Sequence, residues 1–82
     1  MEKINLTKEA FIINNRINIS YELRKYREKK SFSQEHLATL MGISRATISK
    51  IENGKFAISI DYLAKFAWHL DFDIKLFEKE KI

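Results

Sequence analysis

From Gln34 to Asn53 the chain reads QEHLATLMGISRATISKIEN, and its apolar, small and glycine positions recur at the intervals of two short helices joined by a tight turn. With Gln34 as the first of twenty, Leu37, Ala38, Met41, Gly42, Ile43, Ile48 and Ile51 fall at positions four, five, eight, nine, ten, fifteen and eighteen. Leu37 and Met41 share one face of the first helix, and Ile48 and Ile51 share one face of the second. Ala38 is small where the helices must approach. Gly42 follows the last apolar position of the first helix, where a left-handed residue ends a helix at least cost. Ser33 and Ser44 each precede a helix, and their hydroxyls can accept from an unpaired backbone N–H.

On either side the pattern changes. Upstream, Ile12, Ile19, Leu23 and Tyr26 line one face if Thr7 to Lys29 is one long helix capped by Thr7. A second stripe, Ala10, Ile13, Ile17 and Tyr21, then needs separate cover, such as a dimer contact. Two other readings stay open: Ile17 to Tyr21 alternates with period two, and Asn14-Asn15 is a natural break. Residues 1–6 are expected to fray. Downstream, Lys55 to Ile58 is a linker and Ser59 caps a further helix, with Asp61 in its first turn. Ile60, Leu63, Ala64, Phe66, Ala67 and Leu70 give it a broad apolar face, and Trp68 is a core or interface aromatic. In the tail, Phe72, Ile74 and Leu76 alternate with Asp71, Asp73 and Lys75, the period of a half-buried strand. A lone strand must pair, most simply with its copy in a second protomer. A short fifth helix using Ile74 and Phe77 is the alternative.

The central pattern is the sequence form of a helix-turn-helix, whose second helix enters the DNA major groove. Over roughly Ile17 to Leu70, and most specifically in SQEHLATLMGISRATISKIENGK, the chain resembles the phage repressor and Cro (Xre) family of DNA-binding domains. The resemblance implies an all-α, four-to-five-helix lambda-repressor-like domain. It further implies that Gln34, Asn53 and Lys55 bind phosphates, and that Arg27 pairs with Glu52 inside the fold. The tail pairing, if it forms, adds a short strand across a dimer, as in the antitoxins of that family. The whole is read as one domain: residues 1–16 an N-terminal extension, 17–70 the helix-turn-helix core, 71–82 a dimerisation tail.

Composition narrows the classes. Eighty-two residues, 45% of them hydrophobic, supply one small core. With no Cys and no Pro, packing alone must hold short-linked helices. There is no long apolar run and no secretion-signal pattern, so a cytoplasmic protein with no membrane partner is expected. His36 and His69 lack metal-ligand spacing, and no nucleophile stands with a base, so neither cofactor, metal nor enzymatic activity is expected. The net charge is +4. Between Arg24 and Lys55 eight basic residues oppose three acidic ones, whereas the remainder is slightly acidic. The positive surplus therefore coincides with the motif, as phosphate attraction requires.

Helix phase selects the residues that reach DNA. Turning Ile48 and Ile51 inward at about 100° per residue leaves Ala46, Ser49, Lys50 and Asn53 outward. Ser44 and Arg45 stand at the N-terminal end, which reaches base edges in this motif. Arg45 can bond two acceptors on guanine, Lys50 can reach guanine or a phosphate, and the methyls of Ala46 and Thr47 can meet thymine. The expected function is sequence-specific binding of a double-stranded, inverted-repeat operator by a homodimeric repressor. The alternative is an antitoxin whose main partner is a protein toxin.

Overall fold

A computed structural model describes residues 7–79, and the expectation for residues 1–6 lies outside them. Among the described residues the chain forms four helices, α1 (Lys8–Lys29), α2 (Gln34–Met41), α3 (Arg45–Glu52) and α4 (Ile60–Leu70). The same pair of devices bounds each of them. Hydroxyls of Thr7, Ser33, Ser44 and Ser59 accept from the N–H three residues on, at 3.0, 2.9, 3.1 and 3.1 Å. At the other end stand the only four positive-φ residues described: Ser31, Gly42, Gly54 and Asp71. After each, an N–H reaches back five residues to a carbonyl: Phe32 to Arg27, Ile43 to Ala38, Lys55 to Lys50 and Phe72 to Ala67. That bond satisfies carbonyls the helix leaves orphaned and reverses the chain in one residue.

Only Gly42 and Gly54 take this turn without penalty. A Cβ at Gly54 would lie 3.4 Å from the Ile17 side chain, an ordinary contact, so it is the left-handed conformation and not lack of space that favours glycine there. Ser31 takes the same conformation with a side chain. Ser31→Gly is therefore expected to raise the unfolding free energy by up to about 1 kcal/mol, since relief of left-handed strain exceeds the entropy that glycine costs. Urea denaturation with an unchanged midpoint would show that Ser31 is not strained.

Leu23, Leu37, Ala38, Ile48, Ile51, Phe66 and Leu70 form the core. α2 packs against α3 and α4, and α1 lies across α3 and α4. Several sequence-based expectations change here. The long helix forms without a break at Asn14-Asn15 and without period-two structure at Ile17 to Tyr21. Ile12, placed in the core stripe, is 48% exposed. Its turn overhangs the other helices and meets only a groove edged by Phe56, Ala57 and Ile58. The apolar face of α4 is divided: Phe66 and Leu70 are buried, but Ile60, Ala64 and Trp68 face solvent. The second stripe of α1 is exposed at Ile13, Ile17 and Tyr21.

Over its described residues, 71–79, the tail forms neither a fifth helix nor, within one chain, a strand. Its start is fixed by the Lys30–Asp71 ion pair and by the Phe72 ring, 5.1 Å from that of Tyr26. Further along, Lys79 places its Nζ 4.8 Å from the Phe11 ring. Tyr26 to Phe11 is about 22 Å of helix, so the tail runs back along α1 in the antiparallel sense. Its alternating pattern forms no ladder, which needs a second strand. Leu76 and Phe77 remain almost wholly exposed.

Candidate nucleic-acid interface

The orientation of α3 is set from both sides. On the inner side Ile48 and Ile51 are 0% and 1% exposed. Beside them the Glu52 carboxylate is buried, where it could not remain charged without partners. Arg27 of α1 donates to it from Nε at 2.6 Å and from Nη2 at 3.0 Å, and Gln34 of α2 donates from Nε2 at 3.1 Å. The third Arg27 nitrogen donates to the Phe32 carbonyl at 2.6 Å, which ties in the loop between α1 and α2. Hydrogen bonding to Glu52 raises the Arg27 pKa above its ordinary value, against the opposing effect of burial. One carboxylate therefore joins three helices, and the pairing of Arg27 with Glu52 is as the family resemblance implied.

On the outer side Arg45, Ala46, Lys50 and Asn53 are exposed, with Ser49 half-buried between them. This is the face that helix phase selects. Ser44 and Thr47 are committed locally: the Ser44 hydroxyl caps the Thr47 N–H and lies 2.8 Å from its hydroxyl. What remains outward from that end of α3 is mainly Arg45. Asn53 donates to the Ser49 hydroxyl at 3.4 Å, so these two act as a pair on the helix surface. Lys55 follows the left-handed Gly54 and is exposed.

Gln34 is less available than its place at the start of α2 implies. It is half-buried, and its side-chain amide is already engaged by Glu52, so its first role is to hold α2 against α3. The charge surplus is also smaller than the residue count suggests. Arg24, Lys25, Arg27 and Lys30 have carboxylate partners, at Glu28, Glu22, Glu52 and Asp71. Arg45, Lys50 and Lys55 take part in none of the ion pairs among the described residues. Lys29 at the end of α1 is likewise in none of them, so three of the four cations left unneutralised between Arg24 and Lys55 among the described residues lie on or beside α3.

A shallow cleft of about 630 Å³ separates the starts of α2 and α3, lined by Ser33, Gln34, Glu35, His36, Thr39 and Arg45. Both helix N-termini open toward it, which favours an anion there, while Glu35 opposes one. Sequence reasoning assigned no role to Glu35, His36 or Thr39. Their common spacing along one face of α2 was the available signal. Among the described residues no group of three or more His, Cys, Asp or Glu could hold a metal ion, and no helix is long and apolar enough to cross a membrane.

The helix-turn-helix family HTH_3 matches residues 23–77. No curated protein matches the chain. Among solved structures, the restriction-modification controller protein C.AhdI from Aeromonas hydrophila is similar at 32% identity and a TM-score of 0.68, over 73% of this chain and 91% of that one. The match takes in all of α2, α3 and α4 and leaves the first turns of α1 outside the family segment. With a sealed inner face, an open cationic outer face and this match, the chain belongs to the HTH_3 helix-turn-helix family, the Cro/C1 (Xre) type of sequence-specific DNA-binding regulators.

Proposed function

We propose that this chain acts as a homodimeric transcriptional repressor, with α3 seated in the major groove of each half of an inverted repeat. The observation that carries the reading is the row Arg45, Ala46, Lys50 and Asn53, exposed on a helix whose opposite residues are buried and whose cations lack partners among the described residues. Arg45 and Lys50 read base edges, Ala46 and Thr47 present methyls to thymine, and Asn53 with Lys55 fixes register on phosphates. Gln34, Ser44 and Ser49 contribute through the helix starts and the Asn53 pair. Two recognition helices bound to one face of DNA lie about one helical turn, roughly 34 Å, apart. Repression follows from occupancy, because a helix filling the groove excludes other proteins from the same base pairs. Similarity to a restriction-modification controller supports a regulatory role.

In vitro selection from a randomised duplex library is the direct test. A recovered palindrome is expected; a population with no enriched sequence would remove the proposal. For Lys55→Ala we expect weaker binding to every duplex alike, with the slope of log K against log salt reduced in magnitude by about 0.9. Titrations at several salt concentrations check this, and an unchanged slope means that Lys55 touches no phosphate.

An antitoxin role is the second reading. It is favoured by the apolar surface that DNA binding does not use, Ile13, Ile17 and Tyr21 on α1 with Leu76 and Phe77 on the tail. A stable complex with the product of an adjacent gene on gel filtration is expected on this reading alone.

A further inference from the structure

We infer that the solvent face of α4 is where two copies of this chain meet, as antiparallel helices crossing at Ala64. The inference rests on the dimer reading above and names its surface. Ile60, Ala64 and Trp68 are four residues apart, so they form one line along the helix, opposite buried Phe66 and Leu70. Trp68, the only Trp, is 80% exposed and Ile60 65%. Beside Trp68 lies a groove of about 490 Å³, lined by Ala64, Ala67, Asp71, Phe72 and Asp73.

The line is self-complementary. With the twofold axis at Ala64, the smallest residue sits where the two backbones come closest, and each Ile60 meets the Trp68 of the other copy beside its groove. A twofold contact repeats every interaction, so both large side chains are covered twice over. Charge selects the antiparallel direction. Asp61 and Lys65 are exposed and share the flank next to the line. In antiparallel packing the same flanks face each other, which sets Asp61 of one copy opposite Lys65 of its partner, in two equivalent places. Parallel packing about a twofold would turn this flank toward Leu63 and Ala67 of the other copy and leave the charge pair unmade. Asp71 and Asp73, at the C-terminal end of α4, also come beside the positive end of the partner helix. In the single chain Lys65 rests over the Tyr62 ring, with its Nζ 5.8 Å from the centroid, an exposed placement from which it can turn. Confined to one face of an eleven-residue helix, the contact is small beside the ~1,600 Å² that a standard stable interface buries. The contact is therefore sized for a reversible dimer that DNA tightens, rather than for a permanent one.

Sedimentation velocity over a range of concentrations, free and with the selected operator, tests this on the full chain, with far-UV circular dichroism as a check on folding. Wild-type protein is expected to dimerise, with Trp68 emission moving to shorter wavelength as it does. A64R places a long cation at the crossing and should leave a folded monomer. D61K and K65D each put like charges across the flank and should each dimerise several-fold more weakly than wild type. Mixed in equal amounts, those two chains should recover dimers that neither forms well alone. A dimer unaffected by A64R, or a mixture no tighter than its components, overturns the α4 surface while leaving the dimer reading intact. A wild-type chain that stays monomeric both free and on its operator overturns both.

Discussion

Glu52→Ala is expected to cost about 3 to 5 kcal/mol of folding stability, because it leaves the guanidinium of Arg27 buried with no counter-charge. The two side chains are 9% and 2% exposed, and the carboxylate takes donors from both α1 and α2. Removing it breaks three charge-assisted bonds at once and strands a cation that burial penalises. A domain of this size holds on the order of 5 to 15 kcal/mol in all, and each kcal/mol shifts the melting midpoint by roughly 4 to 8 °C. The variant should thus melt roughly 12 to 40 °C lower by the same scaling. Replacing both partners, Arg27→Met with Glu52→Leu, should restore most of the loss, since no charge is then left buried. If the double variant is as unstable as the sum of the singles, the pair is not coupled and its assigned role is wrong. The restored protein should still bind DNA less well. Gln34 would have lost its acceptor, and with it the bond that sets α2 against α3.

These dependences explain what could be read from the chain in advance. Caps and inner faces were legible because each is a local rule. A hydroxyl three residues before an N–H, or an apolar residue four from another, acts at the same distance in any helix. The direction of α3 followed from Ile48 and Ile51 alone. Tertiary choices were less visible. Phe66 and Leu70 could be buried with either Leu63 or Ile60 beside them, and only the angle at which α4 meets α2 decides; it leaves Ile60, Ala64 and Trp68 outside. Ile12 has the right phase for the core, but α1 outruns the helices that would cover it. The stops at Ser31 and Asp71 carry no glycine to announce them; Asp71 is held in part by Lys30, forty-one positions away in sequence. The tail is the limiting case. Its alternation is real, but a strand exists only where a neighbour accepts its hydrogen bonds.

Arg45→Ala should weaken binding to the selected operator by about 1 to 3 kcal/mol, or roughly 5- to 150-fold, and leave random duplex nearly unaffected. The asymmetry comes from position. Arg45 is the first residue of α3, directly after the Ser44 cap, on the end that faces base edges in this motif. It is exposed and borders the cleft between the starts of α2 and α3, with no carboxylate paired to it among the described residues. A guanidinium so placed is free to make two parallel bonds to one guanine edge, and alanine forfeits both without disturbing the fold. Lysine should not substitute well, since a single ammonium keeps the charge and loses the fork. Fluorescence anisotropy on operator, on operator altered one base pair at a time, and on random duplex separates the roles. Relaxed preference at one position identifies a base contact. Equal losses on all duplexes, recovered by Arg45→Lys, would mean that Arg45 serves only as a phosphate anchor, and specificity would then have to come from Lys50, Ser49 and the methyls of Ala46 and Thr47.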